Sequence, residues 1–155
     1  MPRIVKGGKY IFGWSRVGEG GRIKIPEEAM AEYGLVIGDR VIIMSGSIRS
    51  GGFSITTVNL IKDSPLSSIL PVIPEMESCH SPPGVTVRVK KRLFCRTTIE
   101  KGGCITLPVE TLDEYGIKTG GLLLSIRGSN RALGFAVRGP IVEEASRHPE
   151  ITVFQ

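Results

Sequence analysis

Apolar and polar residues alternate along two short stretches of the chain that lie 82 residues apart. The first stretch reads Gly21-Arg22-Ile23-Lys24-Ile25-Pro26, and the second reads Gly103-Cys104-Ile105-Thr106-Leu107-Pro108. A period of two is typical of a half-buried strand. In the first stretch it places Ile23 and Ile25 inward, with Arg22 and Lys24 together on the opposite face.

A short helix is predicted after each of these strands. Pro26 suits the first helical position, and Glu27 and Glu28 favour the positive end of a helix. Gly34 suits the left-handed position after its last turn. The second stretch continues in the same way to Tyr115-Gly116.

The remaining pattern predicts more strands, joined by glycine-rich turns. We expect one or two strands within residues 3–17, a turn at 18–21, a buried strand at 40–44, a hairpin loop at 46–52 and a returning strand at 53–58. After residue 85 the order repeats, and it ends with a helical pattern at 140–147 and an apolar segment at 151–154.

The two halves of the chain align without a gap. Residues 12–55 and 94–137 are identical at 15 of 44 positions, where chance would give roughly three. The alignment predicts a duplicated unit, with repeats at 1–61 and 85–155. Residues 62–84 carry five prolines and are predicted to be a linker.

Basic residues are concentrated at the starts of the two repeats. The chain has 20 Lys and Arg against 15 Asp and Glu, a net charge of +5. Residues 1–24 and 83–106 together hold twelve of these basic residues and only two acids. Because both repeats show the same concentration, we expect an electropositive surface with a function.

Cysteines and hydropathy indicate a cytoplasmic protein without a cofactor. Cys79, Cys95 and Cys104 are an odd number, which favours reduced thiols. The N-terminus has no signal-peptide pattern, and no apolar stretch approaches the 18 residues of a membrane span. Cys79 and His80 offer too few ligands for a zinc site.

We expect no enzymatic activity. The two histidines, His80 and His148, fall in the proline-rich linker and near a helix end. The sequence has no catalytic triad spacing and no phosphate-binding loop followed by Lys-Ser/Thr. The glycines at 18–21 precede a strand, which is typical of a hairpin turn.

The spacing of Gly-Arg-Ile-x-Ile-Pro, a short helix, Tyr-Gly-Leu and Gly-Asp in residues 21–39 resembles the AbrB/MazE/SpoVT family of swapped-hairpin DNA-binding domains. The second repeat carries the pattern with losses. In that family two units interleave into one small β-barrel. The resemblance therefore implies a mainly β fold with short helices, a pseudo-twofold swapped-hairpin barrel closed by the two tandem repeats, similar to tandem MraZ proteins.

The resemblance also implies binding to double-stranded DNA, as in a transcriptional regulator. The family's arginine before Ile-x-Ile-Pro corresponds to Arg22. The other candidate contacts are basic residues near the two strand starts: Lys9, Arg16, Lys24, Lys91, Arg92, Arg96 and Lys101. Cys104 replaces the arginine in the second repeat, so we expect the two halves to contact DNA unequally.

An interaction module without DNA binding is the alternative function. MazE-like antitoxins resemble the repeat, but residues 143–155 hold only three acids and form no long acidic tail. The apolar linker segment 69–74 is the better candidate for a partner site, or else it packs on its own barrel. Self-association through the barrel is a further possibility.

Both predicted hairpin loops contain Gly-Ser-x-Arg-x-x-Gly-Phe, at residues 46–53 and 128–135. The favoured interpretation is a duplicated loop whose glycines permit positive φ. The alternative is a small anion site built from Arg49, Arg131 and loop amides.

Overall fold

The computed structural model describes residues 10–46, 48–62, 87–89, 92–128 and 131–155, and this part of the chain is mainly β, as predicted. Its strands are β1 (Ile11–Arg16), β2 (Arg22–Lys24), β3 (Arg40–Ser45), β4 (Phe53–Thr56), β5 (Val87–Val89), β6 (Arg92–Thr98), β7 (Cys104–Thr106), β8 (Leu122–Arg127), β9 (Leu133–Ala136) and β10 (Val153–Phe154). Its helices are α1 (Glu27–Tyr33), α2 (Val58–Ile61), α3 (Val109–Glu114) and α4 (Pro140–Ala145), with a 3-10 turn at Glu19–Gly21.

Eight of these strands form one sheet in the order β10-β1-β8-β9-β4-β3-β6-β5. All its neighbours are antiparallel except β1 and β10, which are parallel. Among the described residues the sheet does not close into a ring. Strands β2 and β7 pair separately as a two-stranded ribbon.

Five of the ladders join the N-terminal half of the chain to the C-terminal half. Strand β1 pairs with both β8 and β10, β3 pairs with β6, β4 with β9 and β2 with β7. Arg16 lies opposite Leu122, and Arg40 lies opposite Thr98. The 82-residue offset of the sequence alignment matches Arg16 with Thr98 and Arg40 with Leu122, so it converts one pair into the other. Each half therefore depends on the other for its hydrogen-bonded neighbours.

The main core is aliphatic with a few aromatic rings. Ile23 and Ile25, predicted to face inward, are both 0% exposed, and the rings of Phe53 and Phe135 stack with centroids 5.0 Å apart. A second apolar cluster includes residues of β1, β8, β9 and α4: Ile11, Leu124, Ile126, Ala136, Ala145 and Ile151.

Local predictions hold around α1 with one correction. Gly34 has φ 64° and ends the helix as expected. Pro26, predicted as the first helical residue, instead has ψ 139° and lies just outside the helix. Its carbonyl accepts the first helical bond from Met30 at 3.0 Å.

The returning strand predicted at 53–58 is shorter than expected. Strand β4 ends at Thr56, and the Thr57 hydroxyl accepts a hydrogen bond from the Leu60 amide at 3.3 Å. This bond starts the short helix α2, which the sequence pattern did not predict. Thr57 favours both strands and helix starts, so pattern alone does not separate the two.

The hairpin loops differ in length despite their shared motif. Ser45 pairs with Phe53 in the first hairpin, whereas Arg127 pairs with Leu133 in the second. The ungapped alignment matches Phe53 with Phe135. In the structure these two residues face each other across the β4–β9 ladder. The second hairpin therefore closes two residues earlier than the ungapped alignment with the first hairpin would place it.

Several sequence predictions concern the linker and cysteines. Cys95 and Cys104 are buried free thiols. Cys79 and nearly all of the 62–84 linker, including segment 69–74, lie outside the described residues.

Where the chain is described, no helix has the length and apolar character to cross a membrane. The same residues contain no group of three His, Cys, Asp or Glu placed to hold a metal ion.

Candidate nucleic-acid interface

The β2–β7 ribbon presents one face to the core and the other to the surface. Ile23 and Ile105 pair with each other and are both 0% exposed, so they anchor the ribbon on the core. Because successive side chains of a strand point to opposite faces, the residues that precede Ile23 and follow Ile105 face outward. Arg22 lies opposite Thr106, and both are exposed.

Two cationic side chains of β2 reach the turn that carries a third cationic residue, Lys101. The Lys24 ammonium donates a hydrogen bond to the Gly102 carbonyl oxygen. Nη2 of Arg22 lies 3.5 Å from the carbonyl oxygen of the neighbouring Lys101, a long hydrogen bond. Lys101 itself is exposed in the same turn. We call Arg22, Lys24 and Lys101 the basic ribbon cluster.

The surroundings of Arg22 favour its charged form. A hydrogen bond to the Cys104 side chain, with the nearby Glu100 carboxylate contributing less, raises the pKa of Arg22 above its ordinary value. Glu100 is itself held in place, because its Oε1 accepts a hydrogen bond from the Thr106 hydroxyl at 2.5 Å. The cluster therefore contains three cations beside one fixed acid.

The two ends of the ribbon differ in charge. The first turn carries Glu19, whereas the corresponding position of the second turn is Lys101. Cys104, which replaces the expected arginine, is 3% exposed and is in contact with Arg22. The basic residues of the first repeat thus lie against the turn of the second repeat.

The structure does not bring the other predicted contacts into this cluster. Nη1 of Arg16 donates to the Gly120 carbonyl at 3.0 Å, in the turn before β8. Arg96 is half-buried in the middle of β6. Arg92 is the first residue of β6, whereas the turn that carries Lys101 follows the last residue of this strand, Thr98. Six residues, or about 20 Å of strand, separate Arg92 from Thr98. Lys9 and Lys91 lie outside the described residues.

Arg92 instead lines a cavity of about 440 Å³ together with Arg49 and Arg138. Sequence reasoning paired Arg49 with Arg131 and missed Arg138, which follows β9 and belongs to no recognisable motif. Nη1 of Arg131 donates to the Leu60 carbonyl at 2.9 Å, and Arg131 does not line this cavity. The shared loop motif therefore does not produce two equivalent arginine sites.

The fold and the basic ribbon cluster together define a mainly β protein with a two-stranded basic surface ribbon. No family model matches the chain, and no curated protein matches it. The solution structure of PHS018 from Pyrococcus horikoshii is similar at 16% identity, covering 90% of this chain and 100% of its own. Its TM-score of 0.38 is too low to support an argument about fold or function.

Proposed function

We propose that this protein binds double-stranded DNA through the basic ribbon cluster and acts as a transcriptional regulator rather than an enzyme. The observation that carries the proposal is the convergence of Arg22, Lys24 and Lys101 on one turn of an exposed β-ribbon. Lysine and arginine neutralise phosphates and release counterions, which provides affinity.

The shape of the ribbon supports the same function. A two-stranded antiparallel ribbon fits the major groove of B-DNA. Each strand here has three residues and is about 10 Å long. The exposed Arg22 guanidinium lies opposite Thr106 on the outer face, where it can donate hydrogen bonds to phosphates or base edges.

The architecture proposed with this function is a small pseudo-twofold barrel of two tandem repeats, as in the AbrB/MazE/SpoVT resemblance. The ladders that cross between the halves at one offset support it. The charge difference between the two turns supports unequal DNA contacts by the two halves. Selection of bound duplexes from a random pool should therefore yield an asymmetric site.

Fluorescence anisotropy with labelled duplexes at a series of salt concentrations tests the proposal. About six phosphate contacts predict a slope of log K against log salt concentration near −5. Replacing Arg22, Lys24 and Lys101 together by alanine should reduce the slope to roughly half.

Lys62→Ala is the matched control, because it removes an exposed cation that is not part of the ribbon. Circular dichroism shows whether each variant keeps its fold. A flat salt dependence of the original protein, or a folded triple variant that binds DNA as tightly as the Lys62→Ala control, would refute DNA binding through this surface.

A further inference from the structure

We propose that the cavity beside the first hairpin loop binds a small organic anion with a flat apolar body. Its volume of about 440 Å³ lies within the range of natural small-molecule sites. The cavity lies between loop residues 45–46 and 49–51, strand β9 and the start of α4. This inference is independent of the proposed DNA binding.

The charges around the cavity favour an anion. Arg49, Arg92 and Arg138 line it, and the lining residues that the structure describes include no Asp or Glu. Neither Arg49 nor Arg92 forms an ion pair with any residue of the described ranges. Three guanidinium groups without a carboxylate repel one another, and a bound phosphate or carboxylate would relieve this repulsion through charge-assisted hydrogen bonds.

One of the three arginines is held in position before any ligand binds. Nη2 of Arg138 donates to the Ile48 carbonyl at 2.7 Å, and Nη1 of the same side chain lies against Gly51. A cation that is already ordered loses less conformational entropy when it contacts a ligand. Arg138 is therefore the positioned cation of the site, and Arg49 and Arg92 complete the basic rim.

The loop that carries Arg49 is tied to the connection between β9 and α4. The Ser50 carbonyl accepts hydrogen bonds from the Val137 and Arg138 amides at 2.9 and 3.1 Å. Gly52 has φ 66°, and a Cβ atom there would lie 2.0 Å from the Phe135 carbonyl oxygen. This close approach fixes the distance between the loop and β9, so the cavity is formed without a ligand.

The rest of the lining gives the ligand its apolar part. Between the arginines the cavity is bounded by apolar residues of β8, β9 and α4: Ile126, Ala136, Pro140 and Ile141. Phe53 and Phe135 also border it, but their rings stack on each other in the main core. The hydroxyl-bearing residues Ser45, Ser50 and Ser54 also line it. A basic rim over an apolar wall fits a molecule with a ring at one end and an anionic group at the other.

The site should occur once per chain. The first hairpin loop is two residues longer than the second, and Arg131, the counterpart of Arg49 by sequence, contacts the Leu60 carbonyl instead. The structure therefore predicts a stoichiometry of one ligand per chain, although the sequence motif is present twice.

Isothermal titration calorimetry with four probes tests the proposal on the full chain. The probes are 1-naphthyl phosphate, 1-naphthoate, 1-naphthol and inorganic phosphate. We expect one of the two ring anions to bind with one-to-one stoichiometry, at least roughly tenfold more tightly than naphthol or inorganic phosphate. The preferred ring anion distinguishes a phosphate ligand from a carboxylate ligand.

Arginine variants assign the binding to this cavity. Arg49→Gln and Arg92→Gln should each weaken the preferred ring anion by roughly tenfold. Arg147→Gln is the matched control, because Arg147 pairs with Glu144 on the surface and does not line the cavity. The proposal fails if no ring anion binds below about 5 mM, if naphthol binds equally well, or if folded Arg49→Gln and Arg92→Gln variants bind like the control.

Discussion

At the residue scale, Gly21 shows how one backbone position joins the two halves. It has φ 80°, and an added Cβ would lie 1.8 Å from the Leu107 carbonyl oxygen. Its own carbonyl accepts a hydrogen bond from the Leu107 amide at 3.0 Å. The adjacent Gly20 has a similar φ of 73°, but a Cβ added there would have nothing within 4 Å. The sequence shows two neighbouring glycines, and only the packing tells them apart.

Alanine substitutions at these two glycines should differ in cost. Gly20→Ala should lower the free energy of unfolding by about 1 kcal/mol, the cost of a left-handed conformation alone. Gly21→Ala should lower it by more than about 3 kcal/mol, because the new methyl group also collides with backbone. Urea unfolding of both variants measures the difference, and equal losses would contradict the close approach.

Cys95 is one of the buried residues whose titration should affect stability. It is 0% exposed, and burial raises its pKa from 9.0 to about 11, although the hydrogen bond from the Tyr115 hydroxyl at 3.6 Å opposes this rise. The folded protein therefore keeps the thiol protonated at a pH where the unfolded chain loses the proton. Stability from this group is complete below pH 9 and is lost as the pH rises towards about 11.

The part of the alkaline loss that comes from Cys95 should be on the order of 2 kcal/mol and should be absent from Cys95→Ala. Urea unfolding from about pH 8 to about pH 11 for both proteins measures it. Cys95→Ala should be less stable at neutral pH, because it leaves a small cavity, but its stability should fall less steeply over this interval. Parallel profiles would show that Cys95 does not titrate as described.

At the element scale, the β2–β7 ribbon gathers residues from two separate parts of the sequence. The alternation of residues 21–26 was enough to predict that Arg22 and Lys24 share the outer face. It could not predict that Lys24 would reach the Gly102 carbonyl, since that contact depends on which strand pairs with β2. The register also places Cys104 opposite Lys24, on the same face of the ribbon as Arg22, which it contacts.

Removing the negative charge of Glu100 tests whether the ribbon binds DNA, because it should strengthen that binding. Its carboxylate contributes to the raised pKa of Arg22, so it also opposes the approach of phosphate. If the ribbon binds DNA, Glu100→Gln should raise the affinity roughly two- to fivefold at low salt. The glutamine oxygen can still accept the Thr106 hydrogen bond, so the turn should be preserved.

Anisotropy titrations of Glu100→Gln and Glu143→Gln compare the removal of one acid inside and one outside the ribbon. Glu143 is exposed on α4 and serves as the control. An equal gain in both variants would indicate a general effect of net charge. No gain in either would argue against phosphate contacts at this turn.

At the scale of the whole molecule, the ladders between the halves make each half incomplete. Strands β1, β2, β3 and β4 all have hydrogen-bonded partners in the C-terminal half. A half alone would expose these strand edges and half of the shared core. We therefore expect the pair of halves to be the folding unit, and neither half to fold independently.

Fragments 1–62 and 85–155 test this dependence directly. Neither fragment should unfold cooperatively as a monomer, whereas a one-to-one mixture should recover the circular dichroism spectrum and a cooperative thermal transition. Analytical ultracentrifugation identifies the species present. A monomeric N-terminal fragment with its own cooperative transition would contradict the exchange of strands between the halves.

The sequence by itself determined the local features of this protein. Alternation identified β2 and its inward side, Gly34 marked the end of α1, and the basic residues near residues 1–24 and 83–106 predicted a charged surface. These features depend on neighbours within a few residues. The tertiary structure alone decided strand partners, the separation of Arg92 from Arg22, and the meeting of Arg49, Arg92 and Arg138. Those outcomes depend on contacts between residues far apart in the chain, which no local pattern encodes.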